Sequence, residues 1–113
     1  MTPEGRVKAK IKALLKKHEV WNFVPVSGGM GAHGIPDIIA CHRGKFFGIE
    51  AKAPNKKNNV SALQKMQLNG IKASGGIAMV VATDDDIEYL EAILEAMTKA
   101  ADDPLGLLAM VSE

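Results

Sequence analysis

An α/β domain is what this sequence predicts, and three observations predict it. Apolar residues recur at helical spacing near the N-terminus and again near residue 90. Two β-rich runs flank the dipeptide Arg43-Gly44 at the centre of the chain. A short apolar run, IAMVVA, has the length of a buried strand and lies between two helical stretches. The resulting order is α-β-β-β-α-β-α, which places helices around a mixed central sheet.

Each element has a local cause. Thr2 is an N-cap, Pro3 suits the first helical position, and Val7, Ile11, Leu14 and Leu15 share a face, so residues 3–18 read as an amphipathic helix. Residues 21–26, WNFVPV, read as a strand whose Pro25 favours an edge position or a bulge. IPDIIACH and KFFGIEAK form a hairpin, with Gly44 supplying positive φ in the two-residue loop. APNKKNN is a loop, and Ser61 with Gln64 three residues later is a capping box for a helix that Gly75-Gly76 ends. Thr83 and Asp84 to Asp86 open the last helix, which carries Ile87, Leu90, Ile93, Leu94 and Met97. The chain reads as one domain over residues 1–100, followed by an apolar tail over 101–113 that packs on the domain or on a partner subunit.

Bulk composition narrows the function classes. With 113 residues and 47% hydrophobic content, one core is expected and two are not. No apolar segment approaches the ~20 residues of a membrane helix and no signal peptide is legible, so a cytoplasmic location without membrane partners is expected. Cys41 lies in an apolar run, has no second cysteine, and reads as a small buried hydrophobe. The net charge of +1 conceals an asymmetry: through Gly76, 13 basic residues face four acids (+9), and from Ile77 onward one lysine faces nine (−8). A basic block of that size suits a polyanion such as nucleic acid, or it solvates a helix face bearing Lys8, Lys10, Lys12, Lys16 and Lys17.

The stretch GGMGAHGIPD holds G-x-G-x-x-G at Gly29, Gly31 and Gly34. In a dinucleotide site those glycines open a helix. Here Pro36 disfavours helical geometry at Ile35 and a strand follows; Glu50 stands at a suitable distance, but no βαβ unit is expected around it, so no nucleotide cofactor is expected. The glycines read instead as a loop that lets another backbone approach closely, Gly34 above all.

Counting outward from Arg43-Gly44 pairs His42 with Lys45, Cys41 with Phe46, Ile39 with Gly48 and Asp37 with Glu50. Asp37 and Glu50 would then share one face with Cβ atoms roughly 4.5–5.5 Å apart, and alternation places Lys52 there too. Two facing carboxylates want a cation. Mg²⁺ or Mn²⁺ suits their oxygen donors, while Lys52 offers the plainer alternative of an ion cluster. Glu4 continues the apolar stripe of the first helix and is expected on the inward face, or else serves only the helix dipole. Gln64 either caps its helix or points into the site, and the two roles are compatible. His33, Asp37 and Cys41-His42 are spread too far along a strand for one zinc ion.

The sequence P-D…E-x-K at Pro36-Asp37 and Glu50-Ala51-Lys52 resembles the PD-(D/E)xK nuclease superfamily. GIPDIIACHRGKFFGIEAKAP, the helix with Gln64 and ASGGIAMVV are more closely similar to the virus-type replication-repair nuclease (VRR-NUC) domain, a likeness running from about Glu4 to Val81. That resemblance implies a restriction-endonuclease-like αβββαβ core with an extra C-terminal helix. It implies that Asp37, Glu50, Glu4 and the Ala51 carbonyl hold Mg²⁺ or Mn²⁺, that Lys52 positions the attacking water, and that Gln64, with Gln67 as its rival, is the second-helix glutamine. It further implies a homodimeric deoxyribonuclease acting on branched DNA such as Holliday junctions. Lys8, Lys12, Lys56 and Lys57, with Gly34, are the expected DNA contacts. A DNA-binding module that does not cleave and a sequence-specific restriction-type enzyme are the competing expectations.

Overall fold

A computed structural model describes residues 1–26 and 33–102. The elements run α1 (Pro3–Lys17), β1 (Trp21–Phe23), β2 (Ile38–His42), β3 (Lys45–Ala51), a 3₁₀ turn (Pro54–Lys56), α2 (Ala62–Ala73), β4 (Ile77–Val81) and α3 (Asp84–Asp102). The class is α/β, with one four-stranded sheet in the order β1-β2-β3-β4. The first three strands are antiparallel, and β4 runs parallel to β3. No helix among the described residues is long and apolar enough to cross a membrane.

The turn chemistry of the sequence sets the hairpin. Arg43 and Gly44 both take positive φ, 50° and 85°, as a type I′ turn demands. The register is the one counted from that turn, with His42 opposite Lys45, Cys41 opposite Phe46 and Ile39 opposite Gly48. Alternation then divides the strands between two faces. Ile38, Ala40, Phe47, Ile49 and Ala51 join Val7, Ile11, Leu14 and Leu15 of α1 and Leu90 and Leu94 of α3 in the core. Glu50 and Gly48 face the other way, toward α2. There a Cβ on Gly48 would collide with the side chain of Ile71 and sit 3.0 Å from Pro36.

Both main helix stops are side-chain independent. At the end of α1, Glu19 takes φ of 55°, its N–H reaches the Lys16 carbonyl at 3.1 Å, and the Val20 N–H reaches that of Leu15 at 2.8 Å. This is a Schellman closure with glutamate where glycine is usual. Gly75 and Gly76 close α2 in the same way, on Lys72 and Ile71.

Four expectations need correction. The strand at residues 21–26 is only Trp21–Phe23, because it is an edge and Pro25 has no N–H to extend a ladder. Cys41 is exposed, not buried. It lies on the α2 face between its cross-strand neighbours Trp21 and Phe46, but α2 packs over β3 and β4 and leaves all three residues uncovered. A βαβ unit does surround Glu50, since β3, α2 and β4 form a parallel crossover. The glycine stretch still does not open α2; it precedes β2, so the dinucleotide arrangement remains absent. Finally, α3 extends to Asp102, past the expected boundary at residue 100. The rest of the apolar tail, 103–113, lies outside the described residues, as do Gly28 to Gly31 of the glycine stretch.

Candidate metal and phosphate site

At the far end of the hairpin from its turn, Asp37 and Glu50 lock together through the backbone. The Asp37 N–H donates to Glu50 Oε1 at 3.2 Å, and the Ala51 N–H donates to Asp37 Oδ2 at 2.8 Å. Glu50 is only 3% exposed. Its environment pushes its carboxyl up to about 7: burial strips water from the charged form, and the Asp37 carboxylate adds repulsion that Lys52 only partly offsets. A buried carboxylate beside a second, half-buried acid, offering oxygen donors alone, fits a hard divalent cation.

The sequence-derived neighbours converge here to different degrees. Lys52 Nζ lies 3.5 Å from Glu50 Oε2 and donates to Gln64 Oε1 at 3.1 Å. Gln64 Nε2 donates to Glu50 Oε2, while Gln64 Oε1 also accepts the Ser61 N–H at 2.9 Å. The glutamine therefore caps α2 and binds Glu50 at once, because the first turn of α2 is laid against the end of β3. Its rival Gln67 instead donates to the His33 carbonyl. Gly34 has φ of 80°, and a Cβ there would stand 2.6 Å from the Leu63 carbonyl oxygen and 2.8 Å from the Gln64 nitrogen. Its glycine character thus has a cause within the fold: it lets the loop sit on the turn that presents Gln64.

Glu4 departs from the inward position expected of it. Its side chain is 46% exposed, since burial along the α1 stripe begins only at Val7. Between Glu4 and Asp37 stands Lys8, with Nζ 3.8 Å from Glu4 Oε2 and 3.4 Å from Asp37 Oδ1. Among the described residues, Glu4 does not close with Asp37 and Glu50 into a trio of metal-donor distances. The i,i+4 spacing of Glu4 and Lys8 was visible in the sequence; the proximity to Asp37 was not, because it depends on how α1 crosses the sheet.

The charge asymmetry is partly consumed inside the molecule. Lys10 pairs with Asp84 at 2.8 Å, Lys17 with Glu91 at 2.8 Å, and Lys57 with Asp86 at 2.6 Å. Lys57, expected on DNA, is thus held by α3. Asp86 is also tied to the N–H groups of Ala82 and Thr83, and Lys57 with these bonds holds its carboxyl below the usual range against a burial that raises it. Lys12 and Lys56 are exposed and enter no ion pair with a described residue.

Compared with known proteins, the chain matches no protein-family model and no curated relative.

Proposed function

We propose that the chain is a divalent-metal-dependent nuclease that hydrolyses DNA phosphodiester bonds, with branched DNA as its substrate. One observation carries the reading: Glu50, buried to 3% exposure beside Asp37, shares its carboxylate with Lys52 and Gln64 at the open end of a strand pair. A buried carboxylate held beside a second acid is costly for stability and useful for catalysis. The resemblance of P-D…E-x-K to the nuclease superfamily supports the same reading.

In this proposal Asp37, Glu50 and the Ala51 carbonyl hold Mg²⁺ or Mn²⁺, and Glu4 joins them once Lys8 withdraws. Bound there, the ion supplies Lewis-acid polarisation of the phosphate and a more acidic water. Lys52 then orients the attacking water and meets the charge that develops on the phosphate oxygens. Gln64 fixes Lys52 and Glu50 relative to each other. Lys12 and Lys56, exposed and without an ion-pair partner among the described residues, and Lys8 after release, neutralise DNA phosphates without reading bases. A homodimer would supply the two cuts that a two-fold junction needs.

A second reading has a specific observation in its favour. Lys8 and Lys52 already stand against Asp37 and Glu50, so the acids and lysines form a self-neutralising cluster that a non-cleaving DNA-binding module would also tolerate. Labelled four-way junction, flap and plain duplex, incubated with wild type and Asp37→Ala in Mg²⁺ and in EDTA, separate the two. Cleavage of the junction by wild type in Mg²⁺ alone is expected. Binding without cleavage on every substrate would establish the module, and cutting confined to one sequence in plain duplex would establish a restriction-type enzyme.

A further inference from the structure

The C-terminal end of α1 meets the middle of α3 on the side of the sheet opposite α2. The Schellman closure at Glu19 and Val20 fixes His18 as the C-cap of α1 and turns its ring toward α3. There His18 Nε2 lies 2.7 Å from Glu91 Oε2. Glu95 follows one turn later on the same face of α3, where two like charges four residues apart repel. One donor atom from each of His18, Glu91 and Glu95 falls within 4.8 Å of the others.

We propose that His18, Glu91 and Glu95 form a second cation site, independent of Asp37 and Glu50, for a transition-metal ion of the Zn²⁺ class. The ligand chemistry makes the distinction. Imidazole with two carboxylates is a donor set for Zn²⁺ and its neighbours, whereas Mg²⁺ takes oxygen alone. Three protein ligands leave a fourth position open. A shallow cavity of about 310 Å³ lined by His18, Glu95, Thr98, Lys99 and Asp102 gives that position room for water or an exogenous ligand.

The side chains of His18 and Glu91 are 15% and 28% exposed, so two of the three donors are already held by packing. Lys17 and His18 both bond to Glu91, so its carboxylate is already held at the meeting point of the two helices. Lys17 is the resident competitor, 2.8 Å from Glu91 Oε2, but its side chain is 66% exposed and free to turn into solvent. Linking the cap of α1 to α3, the ion would stabilise the pairing of these helices by an amount that grows with the logarithm of its concentration over its Kd.

The test is calorimetric titration of Zn²⁺ into the metal-stripped full chain carrying Asp37→Asn, which disables the all-oxygen site. One equivalent of Zn²⁺ is expected, accompanied by a rise in Tm, with affinity at least tenfold weaker in His18→Gln and in Glu95→Gln. Glu95 is exposed, so its replacement leaves folding intact and keeps the test decisive. Absence of Zn²⁺ binding, binding that survives both substitutions, or binding abolished by Cys41→Ser would each overturn the proposal.

Discussion

Replacing Glu50 by glutamine should make the metal-free protein more stable at alkaline pH while removing its response to Mg²⁺. The carboxyl of Glu50 rises from 4.5 in the unfolded chain to about 7 in the fold. Between those values the folded state binds more protons than the unfolded state, so stability falls as pH rises from 4.5 through about 7 and is level beyond. The shift of two and a half pH units is worth roughly 3 kcal/mol at pH 8 and under ~1 kcal/mol at pH 5. Glutamine copies the neutral acid imperfectly, because its NH2 must face either the Asp37 N–H at one oxygen position or Lys52 and Gln64 Nε2 at the other; a net gain of about 2 kcal/mol is the working figure. For a domain of this size that is a Tm increase of roughly 5–10 °C. Thermal unfolding in EDTA at pH 5 and pH 8 measures it. In Mg²⁺ at pH 8 the wild type should gain stability and Glu50→Gln should not. A variant equal to or less stable than wild type at pH 8 in EDTA would refute the claim that a desolvated, repelled carboxylate is stored at this position.

Three further outcomes follow from the geometry. Gly34→Ala places a Cβ against the Leu63 carbonyl at φ of 80° and should cost about 2–4 kcal/mol in urea unfolding, whether or not DNA is bound. Lys8→Met removes the cation shared by Glu4 and Asp37, so Ca²⁺, a non-cleaving probe, should bind several-fold more tightly by calorimetry while DNA affinity falls. His42 is buried, bonded to Thr98 Oγ1 at 2.9 Å, and desolvation lowers its pKa. The unfolded chain therefore takes up more protons below about 6.5, and stability falls there as pH drops. The slope runs opposite to that of Glu50, so it should appear in Glu50→Gln unfolding between pH 7.5 and pH 5.5 and vanish in Glu50→Gln with His42→Gln.

What could be read from the chain divides along the range of the physics involved. The hairpin was legible because Arg43-Gly44 fixes a register locally and every facing pair follows by counting. Asp37, Glu50 and Lys52 came with it. The capping box at Ser61 and Gln64 was legible for the same reason, and its contact with Glu50 became visible only when α2 was seen against β3. Features set by tertiary coverage were misread. Cys41 has the composition of a core residue but sits where no helix reaches, and Glu4 follows the apolar stripe of α1 one turn beyond the edge of the core. The meeting of His18 with Glu91 and Glu95 joins residues more than seventy positions apart, and no local pattern announces it.

Gln64 holds the first turn of α2 closed and holds Glu50 and Lys52 in the same stroke. Helix ends are where local opening begins, at a fraction of the free energy of global unfolding. Fraying of α2 at its capping box therefore takes Gln64 away from Glu50 and Lys52, while the bonds that tie Asp37 to Glu50 and Ala51 do not pass through the glutamine. Amide exchange at Ser61, Gln64 and Lys65, whose N–H groups are bonded within this turn, reads out how often the turn opens. A cation that binds the carboxylates with Gln64 still in place is then expected to slow that exchange.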